Sequence, residues 1–297
     1  MNKCSYVLAI DAGGSYFKSC IVDNRGRVMQ DSHYKTPVDS GGIAENIYLA
    51  YETTIGRAFV FAEKNGFKID GIGISTPGPF DYANYTSLMK HKFQSIYGVN
   101  LRDMLQKRCS LPDDFPIKFI HDAHAFLVGE HWNGAAKGYE NAAGVTIGTG
   151  LGFGLIKDNK ICGNESGGPY ISLFKAPWGY GIVEDYVSKR GIISLYNKLS
   201  GNENDIDVID IEYLARDGDK NAINTFAQTG KILGTVLKPI ADETKFDCLV
   251  LGGQISRAFI FMEAALKSCL NLKKIAMGQN IDDSALIGAA NTIFGGF

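Results

Sequence analysis

Tyr6-Val7-Leu8-Ala9-Ile10-Asp11-Ala12-Gly13-Gly14-Ser15-Tyr16-Phe17-Lys18, followed by Ser19-Cys20-Ile21-Val22, is an apolar, β-prone run that ends on a carboxylate and bends through two glycines and a hydroxyl before a second apolar run. The spacing predicts a strand, a tight turn and a returning strand. Glycine at the bend permits positive φ and lets a bulky anion approach backbone N–H donors. Asp11, at the strand end, suits a hydrated Mg²⁺, which takes oxygen ligands and keeps several waters. Taken alone, an ordinary hairpin with a turn-forming Asp explains this stretch equally well, because short glycine motifs are weak signals.

The pattern recurs. Residues 142–147 read as a strand, Gly148-Thr149-Gly150-Leu151-Gly152 as a glycine turn, and 153–156 as a returning strand. Two such units suggest two similarly built lobes, each offering backbone donors to one side of a shared ligand. Between them, a polar third strand is expected over 27–37, an amphipathic helix over 43–64 and a buried strand over 71–75. An irregular excursion follows over 81–100, then a helix over 101–109 and a strand over 117–120 that delivers His121 and Asp122 to its C-terminal end. Beyond the second unit, helices are expected over 184–199, 211–216 and 221–244, the last kinked or broken at Pro239. A strand over 247–253, a helix over 255–270, a strand over 274–277 and a closing helix from 284 complete the chain. The repeat places one domain over 1–120, joined by the closing helix of about 284–297, and a second over 121–283.

The 297 residues, 45% hydrophobic and 21% charged, suit a soluble protein of two domains at about 100–200 residues each. A net charge of −2 and scattered aromatics leave no electrostatic footprint for nucleic acid or an anionic membrane. Six cysteines (Cys4, Cys20, Cys109, Cys162, Cys248, Cys269) form no close pair, so neither a disulfide framework nor a Cys-rich zinc site follows. No basic leader precedes an apolar core, and no stretch reaches about 18 apolar residues, which makes the cytoplasm the default expectation.

Five anchors stand in order: Asp11-Ala-Gly-Gly-Ser15, Ile74-Ser-Thr-Pro-Gly78, His121-Asp-Ala-His124, Gly148-Thr-Gly-Leu-Gly152 with Leu251-Gly-Gly253, and Ile287-Gly-Ala-Ala290. The ordered set resembles the ROK family of sugar kinases and repressors, within the actin/hexokinase/Hsp70 ATPase superfamily. The resemblance covers essentially the whole chain. It implies an α/β, two-lobed actin-like ATPase (ribonuclease H-like) fold, with mixed sheets flanked by helices and an active site in the interdomain cleft that takes ATP, Mg²⁺ and a sugar. Asp11, Gly13, Gly14, Ser15 and Lys18 would face the β- and γ-phosphates, with Mg²⁺ held by Asp11 through water. Gly148, Thr149, Gly150 and Gly152 would hold phosphates from the second lobe, and Gly252 and Gly253 would lie along the adenosine. Asp122 matches the family's catalytic base, a role phosphoryl transfer needs for the attacking hydroxyl's proton. Its alternative is a helix N-cap. Family repressors carry an N-terminal DNA-binding winged helix; here the phosphate motif begins at Tyr6, which favours the kinase branch. Dimerisation is common in the family, but nothing in this sequence establishes it.

The chain departs from the family where most members bind a structural zinc through one His and three Cys. Aligning Glu165-Ser-Gly167-Gly168 and Gly181-Ile-Val-Glu184 with the ends of that stretch puts Gly168, Lys175, Pro177 and Ile182 at the four ligand positions. None suits Zn²⁺. No structural zinc is expected, and Phe174, Pro177, Trp178 and Tyr180 are candidates for an apolar cluster in its place. Glu165 and Glu184 match glutamates that accept sugar hydroxyls in the family; their alternative is a solvated surface charge. Gly78, His121, Asp122 and Lys92 complete the expected sugar site, with His121 and Lys92 standing where the family carries Asn. Lys only donates and His changes role with tautomer, so plain glucose specificity does not carry over. A catalytically inactive sugar-sensing or scaffolding protein is the rival, and retention of Asp11, Asp122 and both glycine turns argues against it.

Overall fold

The structure is a computed structural model that describes residues 5–201 and 205–296; Cys4 lies outside them. Two five-stranded mixed sheets carry the fold. The first contains β1 (Tyr6–Ala12), β2 (Tyr16–Asp23), β3 (Tyr34–Pro37), β4 (Ile69–Thr76) and β5 (Ile117–His121), in the order β3-β2-β1-β4-β5. The second contains β6 (Ala142–Ile147), β7 (Leu151–Lys157), β8 (Lys160–Ile161), β9 (Cys248–Gly252) and β10 (Lys274–Met277), in the order β8-β7-β6-β9-β10. In each, the central strand pairs antiparallel with the strand after its glycine turn and parallel with a strand reached through helices. A tight turn can join only antiparallel neighbours, whereas parallel pairs need a crossover. The sequence repeat is therefore a repeat of topology.

The helices are α1 (Ala44–Lys64), α2 (Leu101–Arg108), α3 (Asp122–Asn133), α4 (Lys189–Ser200), α5 (Val208–Arg216), α6 (Lys220–Thr244), α7 (Phe259–Cys269) and α8 (Ser284–Phe294). The chain divides into two compact units. One holds residues up to Asn133 with Gly163–Pro169 and the chain from Asp283; the other holds Gly134–Cys162 and Tyr170–Asp282. The division falls after Asn133 rather than at 120 because α3 packs on α8 in the first unit. That packing is backbone-close: a Cβ on Gly288 would stand 1.8 Å from the Ala125 carbonyl oxygen, and one on Gly129 2.0 Å from that of Ser284. Gly73 on β4 likewise leaves room for the Ala289 carbonyl.

Several local expectations shift. The polar strand over 27–37 narrows to β3, because Met29 N–H bonds Ile21 and Ser32 Oγ accepts from Ile21 N–H, closing a loop between them. Leu151 and Gly152 belong to β7 rather than to the turn, with Gly152 opposite Thr146. Pro239 sits inside α6, which runs on to Thr244. The helix expected over 184–199 is a 3₁₀ turn at Val183–Asp185 followed by α4 from Lys189, whose N–H bonds Gly148 O at 2.8 Å instead of continuing the helix.

Candidate active site

In the first unit, Asp11 is the next-to-last residue of β1, β4 ends on Ser75-Thr76 and β5 on His121, with Asp122 opening α3. Parallel pairing sets Asp11 beside Ser75 and Thr76 beside His121, so one sheet end collects all four. Ser75 Oγ donates to Asp11 Oδ1 at 3.0 Å. Burial and the neighbouring Asp122 carboxylate raise the Asp11 carboxyl above its usual range, while Ser75 and Lys18 oppose the rise. Lys18 is Asp11's antiparallel partner on β2.

Asp122 is both anchored and open. Ala123 N–H donates to its Oδ1 at 2.7 Å, so the N-cap alternative has a local counterpart. Yet its side chain is 46% exposed, with His121 Nδ1 at 3.1 Å from Oδ1. The His121 ring meets Tyr82 and His124 edge-on, at centroid distances of 6.0 and 5.5 Å. Gly78 faces the same ring, since a Cβ there would stand 3.7 Å from His121 Cδ2. Tyr82 is pinned by its hydroxyl donating to Thr76 O at 2.9 Å and by its N–H donating to Ser166 O at 2.8 Å. The second bond brings the Glu165 loop to Tyr82, and Gly167, at φ +78, lets it approach. Ser75 and Tyr82 were not singled out for this site in the sequence. Ser75 sits inside a quoted motif, whereas nothing local marks Tyr82.

At the first glycine turn, Gly13 N–H bonds Asp11 O at 3.1 Å. A Cβ on Gly14 would stand 3.1 Å from Ser40 Oγ and 3.8 Å from Lys92 Cδ. Lys92, expected at the sugar, thus lays its stem along this turn. Ser40 N–H bonds Gly14 O and Phe93 N–H bonds Ser40 O, which ties the Lys92 segment to it.

In the second unit, Gly148 and Thr149 line a cavity of about 370 Å³ with Lys189, Asp207, Val208, Glu212, Gln254 and Arg257. Gly253, at φ +77, turns the chain from β9 into a 3₁₀ helix over Gln254–Ala258; a Cβ there would stand 2.3 Å from Ile147 O. Lys189 pairs with Asp207 across the cavity. Glu184 Oε2 accepts from Leu151 N–H at 2.9 Å, so this glutamate sits at the second glycine turn.

The zinc-position residues take other work. Pro177 pairs with Ile182 in a two-stranded hairpin, and Val183 N–H bonds Ala176 O at 2.8 Å. Leu173, Val183 and Val187 are buried, with Phe174, Trp178 and Tyr186 packed on the same core. Tyr180 does not join them: at the hairpin tip beside Gly179 it is fully exposed. Among the described residues, no group of three His, Cys, Asp or Glu side chains is placed to hold a metal ion, and no helix is long and apolar enough to cross a membrane.

A model of the ROK family matches residues 7–292. The chain belongs to the ROK family. Among ROK relatives, the glucokinase of Thermotoga maritima is 23% identical, over 97% of this chain and 96% of its own length. The xylose repressor of Bacillus spizizenii is 24% identical over 86% of this chain, which spans 65% of the repressor. The solved ROK glucokinase of Streptomyces griseus, in complex with glucose and AMPPNP, matches with a TM-score of 0.79 at 22% identity, covering 97% of this chain and 99% of that one. The fold is accordingly the actin-like ATPase, ribonuclease H-like fold of ROK proteins.

Proposed function

We propose that this ROK protein is an ATP-dependent sugar kinase that transfers the γ-phosphoryl group to a sugar hydroxyl, O6 of a hexose, hexosamine or β-glucoside, with Asp122 as general base. The observation that carries the reading is the open Asp122 carboxylate at the end of β5, close enough to Asp11 to raise its pKa. A structural cap has no need of a second acid held beside it.

In this reading Asp122 accepts the proton of the acceptor hydroxyl as its oxygen attacks the γ-phosphorus. The bond to the β,γ-bridging oxygen breaks and ADP leaves with its electron pair. Backbone N–H groups of Gly14 and Ser15, with the Lys18 and Lys92 ammoniums, stabilise charge on the phosphate oxygens. The cavity of the second unit has the size of a small-ligand site. In this reading Thr149 borders the nucleotide there, and Gly253 turns the chain into the cavity wall that starts at Gln254. The Asp11 carboxylate, with Asp122 close enough to act on it, offers oxygen donors that fit Mg²⁺ held through water at Asp11, which would neutralise phosphate oxygens. His121, Gly78 and Glu165 are the groups proposed to face the acceptor's hydroxyls, whereas Glu184 is engaged by Leu151 N–H at the second glycine turn.

The test is a coupled ADP-release assay across hexoses, hexosamines and glycosides. Turnover with one acceptor, lost in Asp122→Asn, is the expected result. ADP release with none of them favours a sugar-sensing protein, a role for which the repressor relative offers precedent in name only.

A further inference from the structure

The geometry points to Glu184 as a positioning residue for the second glycine turn, acting on the nucleotide side of the reaction. The inference rests on the kinase reading and adds to it. Three observations on this one side chain carry it. Its Oε2 accepts the Leu151 N–H at 2.9 Å. The same oxygen would lie 2.8 Å from a Cβ on Gly150, so a side chain at residue 150 would push the carboxylate off this position. Its Oε1 faces Arg190 Nη2 at 3.6 Å, and Arg190 also binds Asp185 at 2.7 Å, which fixes the carboxylate from behind.

The main chain of the same segment holds the turn's other end, where Lys189 N–H donates to Gly148 O at 2.8 Å. Gly148-Thr149-Gly150 is therefore clamped from both sides by residues 184–189. Gly148, Thr149 and Lys189 all line the 370 Å³ cavity. A bond from a neutral N–H to a carboxylate is shorter and stronger than one between neutral partners. Glu184 thus holds the phosphate-facing amides in register before nucleotide arrives, and preorganised donors are those that bind charge without reorganising. Nothing in the sequence signals this, because Glu184 and Leu151 are distant in the chain.

The experiment measures AMPPNP–Mg²⁺ affinity by calorimetry on the full chain, with no acceptor present, for wild type, Glu184→Gln, Glu184→Ala and Gly150→Ala. Gln keeps an oxygen acceptor for Leu151 N–H and is expected to retain near-wild-type affinity. Ala removes it, and a loss of about tenfold is expected for one charge-assisted hydrogen bond. Gly150→Ala displaces the carboxylate and is expected to match Glu184→Ala, with no further loss in the double variant. Unchanged affinity in Glu184→Ala, or full additivity of the two Ala changes, overturns the inference. Thermal melts separate misfolding from a local loss, and Gln rescue cannot arise from misfolding. If wild type binds no AMPPNP, the kinase reading fails and this inference with it; wild-type binding that Glu184→Ala preserves sinks the inference alone.

Discussion

His121 Nδ1 stands 3.1 Å from Asp122 Oδ1 and 3.2 Å from the Ala123 nitrogen, and it can serve only one of them at a time. Protonated, Nδ1 donates to the carboxylate; unprotonated, it accepts from the amide. The tautomer that steadies Asp122 is thus the one that gives up Ala123. Asp122→Asn removes the proposed proton acceptor and keeps the shape, so kcat is expected to fall by about 10²–10⁴ with AMPPNP affinity intact. His121→Ala is expected to lower turnover less. Equal turnover in Asp122→Asn and wild type would remove Asp122 from the chemistry.

Asp11 is held at a cost to the folded state. Burial first and Asp122 second raise its pKa above the unfolded value of 3.8. The folded state therefore binds this proton more tightly, a contribution fully present below 3.8 and lost as pH rises through the raised value. At neutral pH the ionised carboxylate burdens the ligand-free fold. Asp11→Asn is expected to raise Tm at neutral pH while abolishing Mg²⁺-dependent turnover, with the Tm gain vanishing below about pH 4. A lower Tm in the variant at neutral pH contradicts this account.

His124 works in the opposite sense. It is buried, its Nε2 finds no partner among the described residues, and burial, then His121, lowers its pKa from 6.5 to about 3. The unfolded chain takes up a proton as pH falls below 6.5, and the folded chain resists until about 3. Its stabilising contribution is complete above 6.5 and drains away between those values, at about 1.4 kcal/mol per unit. In His124→Gln, Tm is expected to fall less steeply with acid than in wild type. Parallel Tm curves would mean that His124 does not control this acid sensitivity.

Gly288 and Gly129 set where α3, and so Asp122, stands. A methyl on Gly288 would need to displace the Ala125 carbonyl, 1.8 Å away, and backbone cannot swing aside as a side chain can. Gly288→Ala is expected to cost about 1–3 kcal/mol by overpacking. Because the shift acts on the helix that carries Asp122, the proposed base, kcat should drop further than AMPPNP affinity. A thermal melt with steady-state kinetics checks both, and an unchanged Tm would show that α8 yields freely.

The strands and the glycine turns were legible because their signals are local: β-prone runs, a terminal Asp and glycines at the bends. Asp122 was reachable because β5 is short and ends where α3 begins. What escaped depends on distant partners. The break before α4 arises because Lys189 N–H finds Gly148 O, and the place of Glu184 arises from Leu151. The tie of the Lys92 segment to Gly14 likewise runs through Ser40 and Phe93, partners that no local signal pairs. Periodicity also cannot tell whether Pro239 breaks a helix, because tertiary packing decides it, and α6 is packed by α4, α5 and α7.

The stretch that aligns with the family's zinc-binding segment is packed as part of an apolar core. Leu173, Val183 and Val187 are buried in a core on which Phe174, Trp178 and Tyr186 also pack, and the Pro177–Trp178 and Gly181–Ile182 strands close the hairpin. Cohesion of this kind needs no thiolate or imidazole and is indifferent to chelators. EDTA is expected to leave Tm unchanged, and metal analysis to find no stoichiometric zinc. Trp178→Ala should cost about 1–2 kcal/mol through lost apolar contact, whereas Tyr180→Ser, at the fully exposed tip, should leave Tm where it is. A stoichiometric zinc whose removal lowers Tm would overturn this account, and a Trp178→Ala melt identical to wild type would place the cohesion of the loop elsewhere.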